Sequence, residues 1–163
     1  MDIADRIAFV TGAGRGIGRA LCRELLGRGA SGVVVADLDG DLARATAAEL
    51  GGLGVQCDVT DEAAVHAAVR AALEHYGRVD ILASNAGFGV SELDLDDALA
   101  TPNAIWQHMW QVHVMAHVYA SRALLPGMLD RGEGYLLNVA SAAGVLSQIG
   151  DTAYSATKHA AVG

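Results

Sequence analysis

The sequence predicts an α/β domain in which helices cover both faces of a doubly wound parallel sheet, giving three layers, α/β/α. Short apolar segments of strand length alternate with longer segments of helical spacing along the chain. The apolar segments do not alternate with polar residues, which is typical of strands buried on both faces. The helical segments between them can serve as crossovers between parallel strands. No linker or repeat divides the sequence, so residues 1–163 are predicted to form a single domain.

The first half of the chain predicts three strands and two helices. Residues 6–11 form an apolar run that ends in glycines, which suits a buried strand, and residues 16–27 follow with helical spacing. Residues 32–36 are rich in valine and predict a second strand, whereas residues 42–50 are rich in alanine and predict a helix. Residues 54–57 predict a short third strand. The apolar positions of the first helix are Ile17, Leu21, Leu25 and Leu26.

The middle of the chain predicts one helix, one strand and one surface loop. Residues 62–76 have an apolar stripe at helical spacing, and Thr60 or Asp61 could cap the start of that helix. Residues 79–83 are apolar and predict a fourth strand. Residues 88–101 are polar and acidic, so they are predicted to be a surface loop with part of a helix.

The last part of the chain predicts a long helix, a strand and the start of another helix. Residues 102–131 form the long helix, whose regular part Pro126 should kink or end. Residues 134–140 predict a fifth strand, and the chain becomes helical again from about Thr152. The predicted apolar positions of the long helix are Trp106, Met109, Trp110, Val114, Val118, Leu124 and Leu125.

The composition excludes several classes of function. Lys and Arg total 11 against 19 for Asp and Glu, a net charge of −8, and an acidic chain without a basic run is a poor nucleic-acid binder. No apolar stretch approaches the roughly 18 residues of a membrane span, and the N-terminus lacks the features of a signal peptide. Cys22, Cys57 and the six histidines show no metal-site spacing. We therefore expect no metal, no membrane and a cytoplasmic location with reduced thiols.

A glycine-rich turn joins the first strand to the first helix and reads TGAGRGIG over residues 11–18. A dinucleotide pyrophosphate needs backbone N–H groups, a helix N-terminus and a close backbone approach, which glycine permits. The alternative is a glycine-rich turn without a ligand, but the strand before it and the helix after it favour a phosphate cradle. The predicted cradle residues are Gly12, Gly14, Arg15, Gly16, Ile17 and Gly18.

Asp37 ends the second strand, where a carboxylate can accept hydrogen bonds from an adenosine ribose and would repel a 2′-phosphate. Arg15 favours the opposite preference, because a guanidinium can pair with that phosphate. We give Asp37 more weight than Arg15 as an indicator of the cofactor, because removing water from a carboxylate that lies beside a phosphate is costly. The sequence therefore favours NAD over NADP. The alternative is that Asp37 is an ordinary turn residue; Leu38, which follows it, is counted among the predicted cofactor contacts.

Tyr154 and Lys158 lie four residues apart, so they share a face of a helix. A cation lowers the pKa of a neighbouring phenol, which would allow proton exchange near neutral pH. Ser141 follows the fifth strand, at the sheet edge where ligands of open α/β sheets bind, and its hydroxyl could hold a substrate oxygen. With a dinucleotide carrying the hydride, this set predicts that Tyr154 carries the proton. Taken alone, the tyrosine and the lysine could be an ordinary surface pair.

The combination of these motifs resembles the short-chain dehydrogenase/reductases, a family with a Rossmann-like, NAD(P)-binding fold. The resemblance implies that Asp58 and Val59 border the adenine ring and that Asn85-Ala86-Gly87 supports the sheet beside the cofactor. It also implies that Lys158 binds the nicotinamide ribose, and that the protein is a homodimer or homotetramer packed through the long helix and the Tyr154 helix. The matching positions are the 11–18 turn, Asp37, Asp58, Val59, Asn85, Ala86, Gly87, Ser141, Tyr154 and Lys158.

Two features depart from the pattern of that family. Its long helix often carries an asparagine that holds a water in a proton relay, whereas His113 stands at the matching position. His113 could take over the relay, because histidine exchanges protons near neutral pH, or it could be merely structural. Family members also continue well beyond the Tyr154 helix, so the C-terminal strands and the substrate loop are expected to be missing from a chain ending at Gly163. The last strand is then expected to present a long apolar edge.

Two functions remain open from the sequence. The first is an oxidoreductase that transfers a hydride between NAD(H) and a secondary alcohol or carbonyl, with Ser141, Tyr154, Lys158 and His113 as catalytic residues. The second is a catalytically incompetent dinucleotide-binding fragment or interaction protein. We expect the 163-residue chain itself to be weak or inactive and its parent to be an oxidoreductase. The apolar residues near the site would permit an apolar substrate without selecting one: Phe88, Val90, Ala142, Ala143, Val145 and Leu146.

Overall fold

The structure, a computed structural model, describes residues 2–89, 101–146 and 152–163. Within these ranges the strands and helices follow the order that the sequence predicts. The strands are β1 (Ile7–Thr11), β2 (Gly32–Asp37), β3 (Leu53–Gln56), β4 (Ile81–Ser84) and β5 (Tyr135–Asn138). The helices are α1 (Gly16–Gly27), α2 (Gly40–Leu50), α3 (Glu62–Tyr76), α4 (Asn103–Trp110), α5 (Ala116–Asp130) and α6 (Thr152–Val162). A π turn at Gln111–Met115 separates α4 from α5, and a 3₁₀ turn at Ala142–Gly144 precedes α6.

The described strands form one parallel sheet in the order β3-β2-β1-β4-β5. The chain first adds β2 and β3 on one side of β1 and then crosses to β4 on the other side. Ligands of such sheets bind outside the carboxyl ends of the strands where the order reverses, which here lies between β1 and β4. The predicted doubly wound sheet is confirmed, and this switch point is where a ligand site is expected.

Both faces of the sheet carry an apolar core because helices cover both. Successive residues of a strand point to opposite faces, so Phe9 and Val10 in β1 enter different clusters. The Phe9 cluster packs under α3 and α5, and the Val10 cluster packs under α1 and α2. This two-sided burial explains why the strands read as continuous apolar runs rather than alternating patterns.

The predicted element ends move by at most two residues, and one of these changes lies before β4. Val79 and Asp80 precede the strand, and Asp80 is fully buried. Its carboxylate accepts a hydrogen bond from the Ile7 N–H (3.0 Å) and another from Arg78 Nε (2.7 Å). Arg131 donates to the carbonyl of Val79 (2.7 Å) and lies 3.8 Å from the same carboxylate. Asp80 therefore ties the start of β1 to the entry of β4.

The single long helix predicted at 102–131 is interrupted by the π turn, which changes the register of the side chains that follow it. Pro126 does not end the helix, because α5 continues to Asp130. A proline within a helix removes the hydrogen bond to the residue four positions earlier. That residue is Arg122, which is exposed, so water can satisfy its carbonyl.

The apolar face predicted for the long helix is wrong in part. Met109 and Leu124 are buried as predicted, but Trp106, Trp110 and Leu125 are 37%, 46% and 37% exposed. Small and polar side chains occupy much of the buried face, because a helix packed closely on a sheet leaves little room for large ones. The buried residues are Met109, Val112, His113, Ala116, His117, Ala120, Leu124 and Met128.

The N-termini of α2 and α3 are capped by side chains, whereas the N-terminus of α1 is not. Asp39 accepts from the N–H groups of Asp41 and Leu42 and caps α2. Asp61 accepts from the Ala63 N–H and caps α3, which settles the choice between Thr60 and Asp61. The N-terminus of α1 has no side-chain cap. Its N–H groups are therefore available to a ligand.

The edge of the sheet at β5 is apolar and exposed in the described structure. Tyr135, Leu136 and Leu137 are 50%, 39% and 37% exposed, in agreement with the apolar edge expected from the sequence. Val90 and most of the predicted acidic loop lie outside the described residues. Among the helices that the structure describes, none combines the length and hydropathy needed to cross a membrane.

Candidate functional site

A cleft of about 620 Å³ opens at the carboxyl ends of β1 and β4, the switch point of the sheet. This volume lies in the range typical of cofactor sites. Predicted cofactor contacts that line it are Gly12, Arg15, Gly16, Ile17, Asp37, Leu38, Asp58, Val59, Asn85, Ala86 and Gly87. Its remaining lining residues are Cys57, Thr60, Phe88, His108 and Val112. Gly14, Gly18, Tyr154 and Lys158 are not part of this wall.

Gly12 and Gly16 form the part of the glycine-rich turn that faces the cleft. Both have positive φ angles, +62° and +56°, which side chains rarely adopt. Gly16 begins α1, and a side chain there would point into open space rather than into the protein. The turn thus exposes backbone and the uncapped start of α1 to the cleft, as a pyrophosphate site requires.

Gly14 and Gly18 serve the packing of the protein instead. The Gly14 N–H donates to Asp37 Oδ2 (2.8 Å), and a Cβ on Gly14 would lie 2.9 Å from that same oxygen. A Cβ on Gly18 would lie 2.7 Å from Asn85 Nδ2 and 2.8 Å from Ala13 Cα. A Cβ on Gly12 would likewise lie 2.9 Å from Ala86 Cα, so Gly12, Gly14 and Gly18 all allow close contact between protein segments, and Gly12 also faces the cleft.

Replacing Gly18 with alanine is expected to destabilise the fold by about 3 kcal/mol, because backbone atoms that cannot move aside surround the new methyl group. Gly27 in the same helix is the matched control. A Cβ added to Gly27 would meet no atom within 4 Å, so Gly27→Ala should leave the fold intact. Chemical denaturation of both variants measures the difference. Equal stability of the two would contradict the packing role of Gly18.

Asp37 holds the turn and borders the cleft at the same time. Its Oδ2 accepts from the Gly14 N–H, and its Oδ1 accepts from the Asp39 N–H (3.1 Å). Arg15 is exposed on the cleft wall. Ile17 and Leu38, 71% and 65% exposed, also line the cleft. Exposed apolar side chains next to the Asp37 carboxylate suit a ligand that has both a flat apolar part and hydroxyl groups.

Asn85 and Ala86 fix the position of the cleft wall between β1 and β4. The Asn85 side-chain amide donates to the carbonyls of Thr11 (2.9 Å) and Gly12 (3.2 Å). The Thr11 hydroxyl in turn accepts from the N–H groups of Asn85 (3.0 Å) and Ala86 (3.1 Å). These bonds join the end of β4 to the glycine-rich turn.

The loop after β3 forms the far wall of the cleft. The Asp58 carboxylate accepts from both the N–H (2.9 Å) and the hydroxyl (2.7 Å) of Thr60, which fixes the loop beside Val59. Burial raises the pKa of the Cys57 thiol to about 11, with the Asp58 charge adding to the shift, so this cysteine stays a protonated wall residue. The sequence did not predict Cys57 or Thr60 as cleft residues.

Tyr154 and Lys158 lie on α6 beneath the cleft. Lys158 is buried and donates to the Val139 carbonyl at the end of β5 (3.0 Å), and its Nζ is 5.7 Å from the centre of the Tyr154 ring. Burial lowers the pKa of Lys158 from its ordinary value. The pairing of a phenol and an ammonium predicted from their spacing is therefore present.

Ser141 lies just before the 3₁₀ turn, which packs on α6. Its Oγ accepts from the Ala143 N–H (3.2 Å), so that bond uses a lone pair and not the hydroxyl hydrogen. Ser155 on α6 donates to the Ala143 carbonyl (3.1 Å). A Cβ on Gly144 would lie 2.6 Å from the Lys158 carbonyl, so the turn and the helix are in close contact. The segment that carries Ser141 is thereby held against the helix that carries Tyr154 and Lys158.

Gly87 joins the cleft to these residues. It lines the cleft, and a Cβ built on it would lie 3.6 Å from Lys158 Nζ and 3.5 Å from His113 Nε2. The His113 ring meets the Tyr154 ring edge-on, with 5.3 Å between ring centres. The structure therefore brings the predicted cradle, His113, Tyr154 and Lys158 into one continuous region.

Phe88 and His108 extend the cleft wall beyond Gly87. Their rings lie 5.0 Å apart, and both border the cleft. The sequence suggested Phe88 as a pocket residue, but nothing in the pattern pointed to His108. The contact depends on how α4 is placed over the end of β4, and local spacing carries no information on that placement.

His117 is a buried histidine that the sequence did not single out. Neither of its ring nitrogens has a hydrogen-bond partner among the residues the structure describes. Burial lowers its pKa from the ordinary 6.5, and the charge of Lys158 lowers it further. At pH values between its lowered folded-state pKa and 6.5, His117 is therefore protonated in the unfolded chain but neutral in the folded chain. His117 thus reduces stability as the pH falls below 6.5.

His117→Leu is expected to make the fold less sensitive to acid and, at neutral pH, about 1 kcal/mol more stable, since an unpaired buried polar group is removed. Denaturant unfolding at about pH 7.5 and pH 5.5 measures both effects. The exposed His159 on α6 supplies the control, and His159→Gln should keep the wild-type loss of stability. If wild type and His117→Leu lost the same amount of stability on acidification, His117 could not be the cause of the acid sensitivity.

No three His, Cys, Asp or Glu side chains in the described ranges lie close enough together to form a metal site.

The comparisons with known proteins agree with this geometry. The family model for short chain dehydrogenases matches residues 6–163. The chain is 36% identical to the 1-deoxy-11-beta-hydroxypentalenate dehydrogenase of Streptomyces exfoliatus over 98% of its own length and 59% of that protein. It is 34% identical to the D-threitol dehydrogenase of Mycolicibacterium smegmatis, over 97% and 61% of the two chains.

A solved structure shows the same likeness in three dimensions. A crystal structure of a short chain dehydrogenase/reductase from Burkholderia phymatum, in complex with NAD, superposes with a TM-score of 0.91 at 33% identity. The match covers 99% of this chain and 58% of that one, so the chain spans less than two thirds of these relatives. On the family model, the sequence identities and the fold, this chain belongs to the short chain dehydrogenase family.

Proposed function

We propose that the chain is an NAD-dependent oxidoreductase that acts on a secondary alcohol or the corresponding carbonyl. The observation that carries the proposal is the position of Gly87, which lines the dinucleotide-sized cleft and also lies beside Lys158 and His113. A cofactor in the cleft would therefore reach the residues predicted to move the proton. The NAD complex of the Burkholderia phymatum relative supports the same assignment.

The residues of the cleft fit NAD. The uncapped start of α1 with Gly12 and Gly16 would hold the pyrophosphate, and Asp37 would accept hydrogen bonds from the adenosine ribose. Asp58 and Val59 would border the adenine. Asp37 also supports NAD over NADP, because a 2′-phosphate would lie against its carboxylate, although Arg15 on the same wall could pair with that phosphate.

When bound, NAD supplies the group that accepts the hydride. Tyr154 is the proposed general base: its phenolate would take the proton of the alcohol, and its neutral phenol would return a proton in the reverse direction. Lys158, which donates to the Val139 carbonyl, would hold the ring and the cofactor ribose in place. Ser141 keeps its hydroxyl hydrogen for the substrate oxygen, because its lone pair takes the Ala143 N–H. His113 is placed with this group, as a proton relay or as a structural residue.

The proposed substrate is a small alcohol or ketone. The relatives include dehydrogenases named for D-threitol and for a hydroxypentalenate, so polyols and cyclic secondary alcohols are both within the class. Ala142, Val145 and Leu146 are exposed and follow Ser141 in the chain, and Phe88 lines the cleft, so each could supply apolar surface for the carbon skeleton of such molecules.

Assembly and location follow as parts of the same proposal. Trp106, Trp110, Leu125 and Leu129 leave large apolar area exposed on α4 and α5, which supports a homodimer or homotetramer packed through these helices. We place the protein in the cytoplasm on its free buried cysteines, Cys22 and Cys57.

The experiment is NADH formation by the purified chain on D-threitol, sorbitol and a cyclic secondary alcohol. We expect NADH absorbance to grow with at least one alcohol and to depend on NAD, at the weak rate expected of the 163-residue chain. Binding of NAD without turnover on any of them would favour the alternative, a dinucleotide-binding fragment or interaction protein. Absence of both binding and turnover would overturn the proposal.

A further inference from the structure

His113 connects two parts of the site that are distant in sequence. Its Nε2 accepts a hydrogen bond from the Phe88 N–H (3.2 Å) in the loop after β4, and its Nδ1 lies 2.9 Å from the Thr157 hydroxyl on α6. The ring is fully buried at the centre of the π turn. Phe88 lines the cleft, and Thr157 lies directly before Lys158. The imidazole therefore spans the space between the cleft wall and the helix that carries Tyr154.

The partners of this bridge determine the tautomer of His113. A backbone N–H can only donate, so the Nε2 that receives it must carry a lone pair and no proton. In a neutral imidazole the proton is then on Nδ1, which donates to the Thr157 hydroxyl. The single hydrogen of that hydroxyl points toward the carbonyls of Ala153 (2.9 Å) and Tyr154 (3.0 Å), which are its possible acceptors. Every donor in the chain of bonds from Phe88 to α6 thus meets an acceptor.

Protonating His113 would break this arrangement. A proton on Nε2 would face the Phe88 N–H, donor against donor, in a site from which water is excluded. A proton relay through the imidazole itself requires Nε2 or Nδ1 to gain and lose protons during turnover. The two hydrogen bonds of the ring keep Nε2 unprotonated and Nδ1 protonated, which favours a positioning role for His113 over proton transfer.

We propose that His113 is a positioning residue: as the neutral Nδ1–H tautomer it bridges Phe88 to Thr157 and so sets the distance between the cofactor cleft and the Tyr154–Lys158 pair. The functional part of this inference rests on the proposed oxidoreductase activity. The assignment of the tautomer does not rest on that activity, because it follows from the hydrogen bonds of His113. This chain would then use the middle of its long helix to hold the site together rather than to conduct protons.

The first test needs no turnover. Two-bond hydrogen–nitrogen correlation spectra of the full chain, labelled in histidine and assigned by comparison with His113→Gln, report which ring nitrogen is protonated. We expect a protonated Nδ1 and an unprotonated Nε2 near neutral pH, because the Phe88 N–H donates to Nε2. A protonated Nε2, or rapid averaging of the two tautomers in the wild type, would overturn it even if the protein proves to be an active dehydrogenase.

The second test separates positioning from proton relay. Thr157→Val keeps the volume of the buried side chain but removes the acceptor for His113, whereas Thr157→Ser retains it and is the matched control. We expect kcat with NAD and an oxidised alcohol to fall about tenfold in Thr157→Val, with the KM for NAD within about twofold of wild type, and to remain near wild type in Thr157→Ser. Full activity of Thr157→Val would overturn the inference, because the bond between His113 and Thr157 would then not be needed to position the site.

Discussion

Tyr154→Phe is expected to lower kcat by about 10²–10⁴-fold, the usual contribution of a general acid or base, while NAD affinity stays within about twofold. The substitution removes one oxygen atom and keeps the ring. The ring keeps its edge contact with His113 at 5.3 Å and its place beside Lys158 Nζ at 5.7 Å, so the fold around it should not change. Loss of turnover with unchanged cofactor binding then reports the hydroxyl alone.

Tyr135→Phe is the control for that measurement. Tyr135 lies on the exposed edge strand β5 and is 50% exposed, so removing its hydroxyl should alter neither kcat nor NAD affinity. Steady-state kinetics and cofactor titration on the two variants give the comparison. If Tyr154→Phe retained the wild-type kcat, Tyr154 could not be the proton carrier, and the proposed chemistry would have to be abandoned.

Asp80→Ala is expected to reduce the free energy of unfolding by about 3–5 kcal/mol, the range found when a buried ion pair loses one member. Asp80 has no exposed surface and accepts from the Ile7 N–H and from Arg78 at the start of the sheet. Alanine would leave a buried backbone N–H without an acceptor and two arginines without their carboxylate. Asp80 is remote from the cleft, so folded Asp80→Ala should still bind NAD.

Asp41→Ala is the comparison for the stability measurement. Asp41 also pairs with an arginine, Arg44, but its side chain is 95% exposed, and exposed pairs contribute little. Denaturant unfolding should show a loss several times smaller than that of Asp80→Ala. Similar losses in the two variants would show that burial of the Asp80 carboxylate is not what stabilises the sheet.

Much of the fold was predictable because it depends on local patterns. Continuous apolar runs in the sequence identify the strands β1, β2 and β4. The glycine-rich turn marks the start of α1, the helix that connects β1 to β2. The π turn was missed because one regular helical spacing was assumed over the whole of residues 102–131, whereas the turn shifts the register of the side chains after it. The buried face of α5 was missed because Ala116, His117 and Ala120 do not score as a hydrophobic stripe.

The candidate site was predictable where function demands particular residue types. Asp37, Asn85, Tyr154 and Lys158 could be placed from their position relative to strand ends and from their resemblance to one family. The bridge through His113 could not be found in this way, because it joins residues 25 and 44 positions away along the chain. The contacts of Gly14 with Asp37 and of Gly18 with Asn85 could not be predicted either, because they depend on the packing of the folded chain.

Calorimetric titration of the wild-type chain with NAD and with NADP tests the central claim most directly, because it asks whether the cleft between β1 and β4 binds a dinucleotide. We expect saturable binding of NAD, one per chain, and binding of NADP at least about tenfold weaker because of the Asp37 carboxylate. Tighter binding of NADP would contradict the role of Asp37. No binding of either dinucleotide would contradict the assignment of the cleft itself.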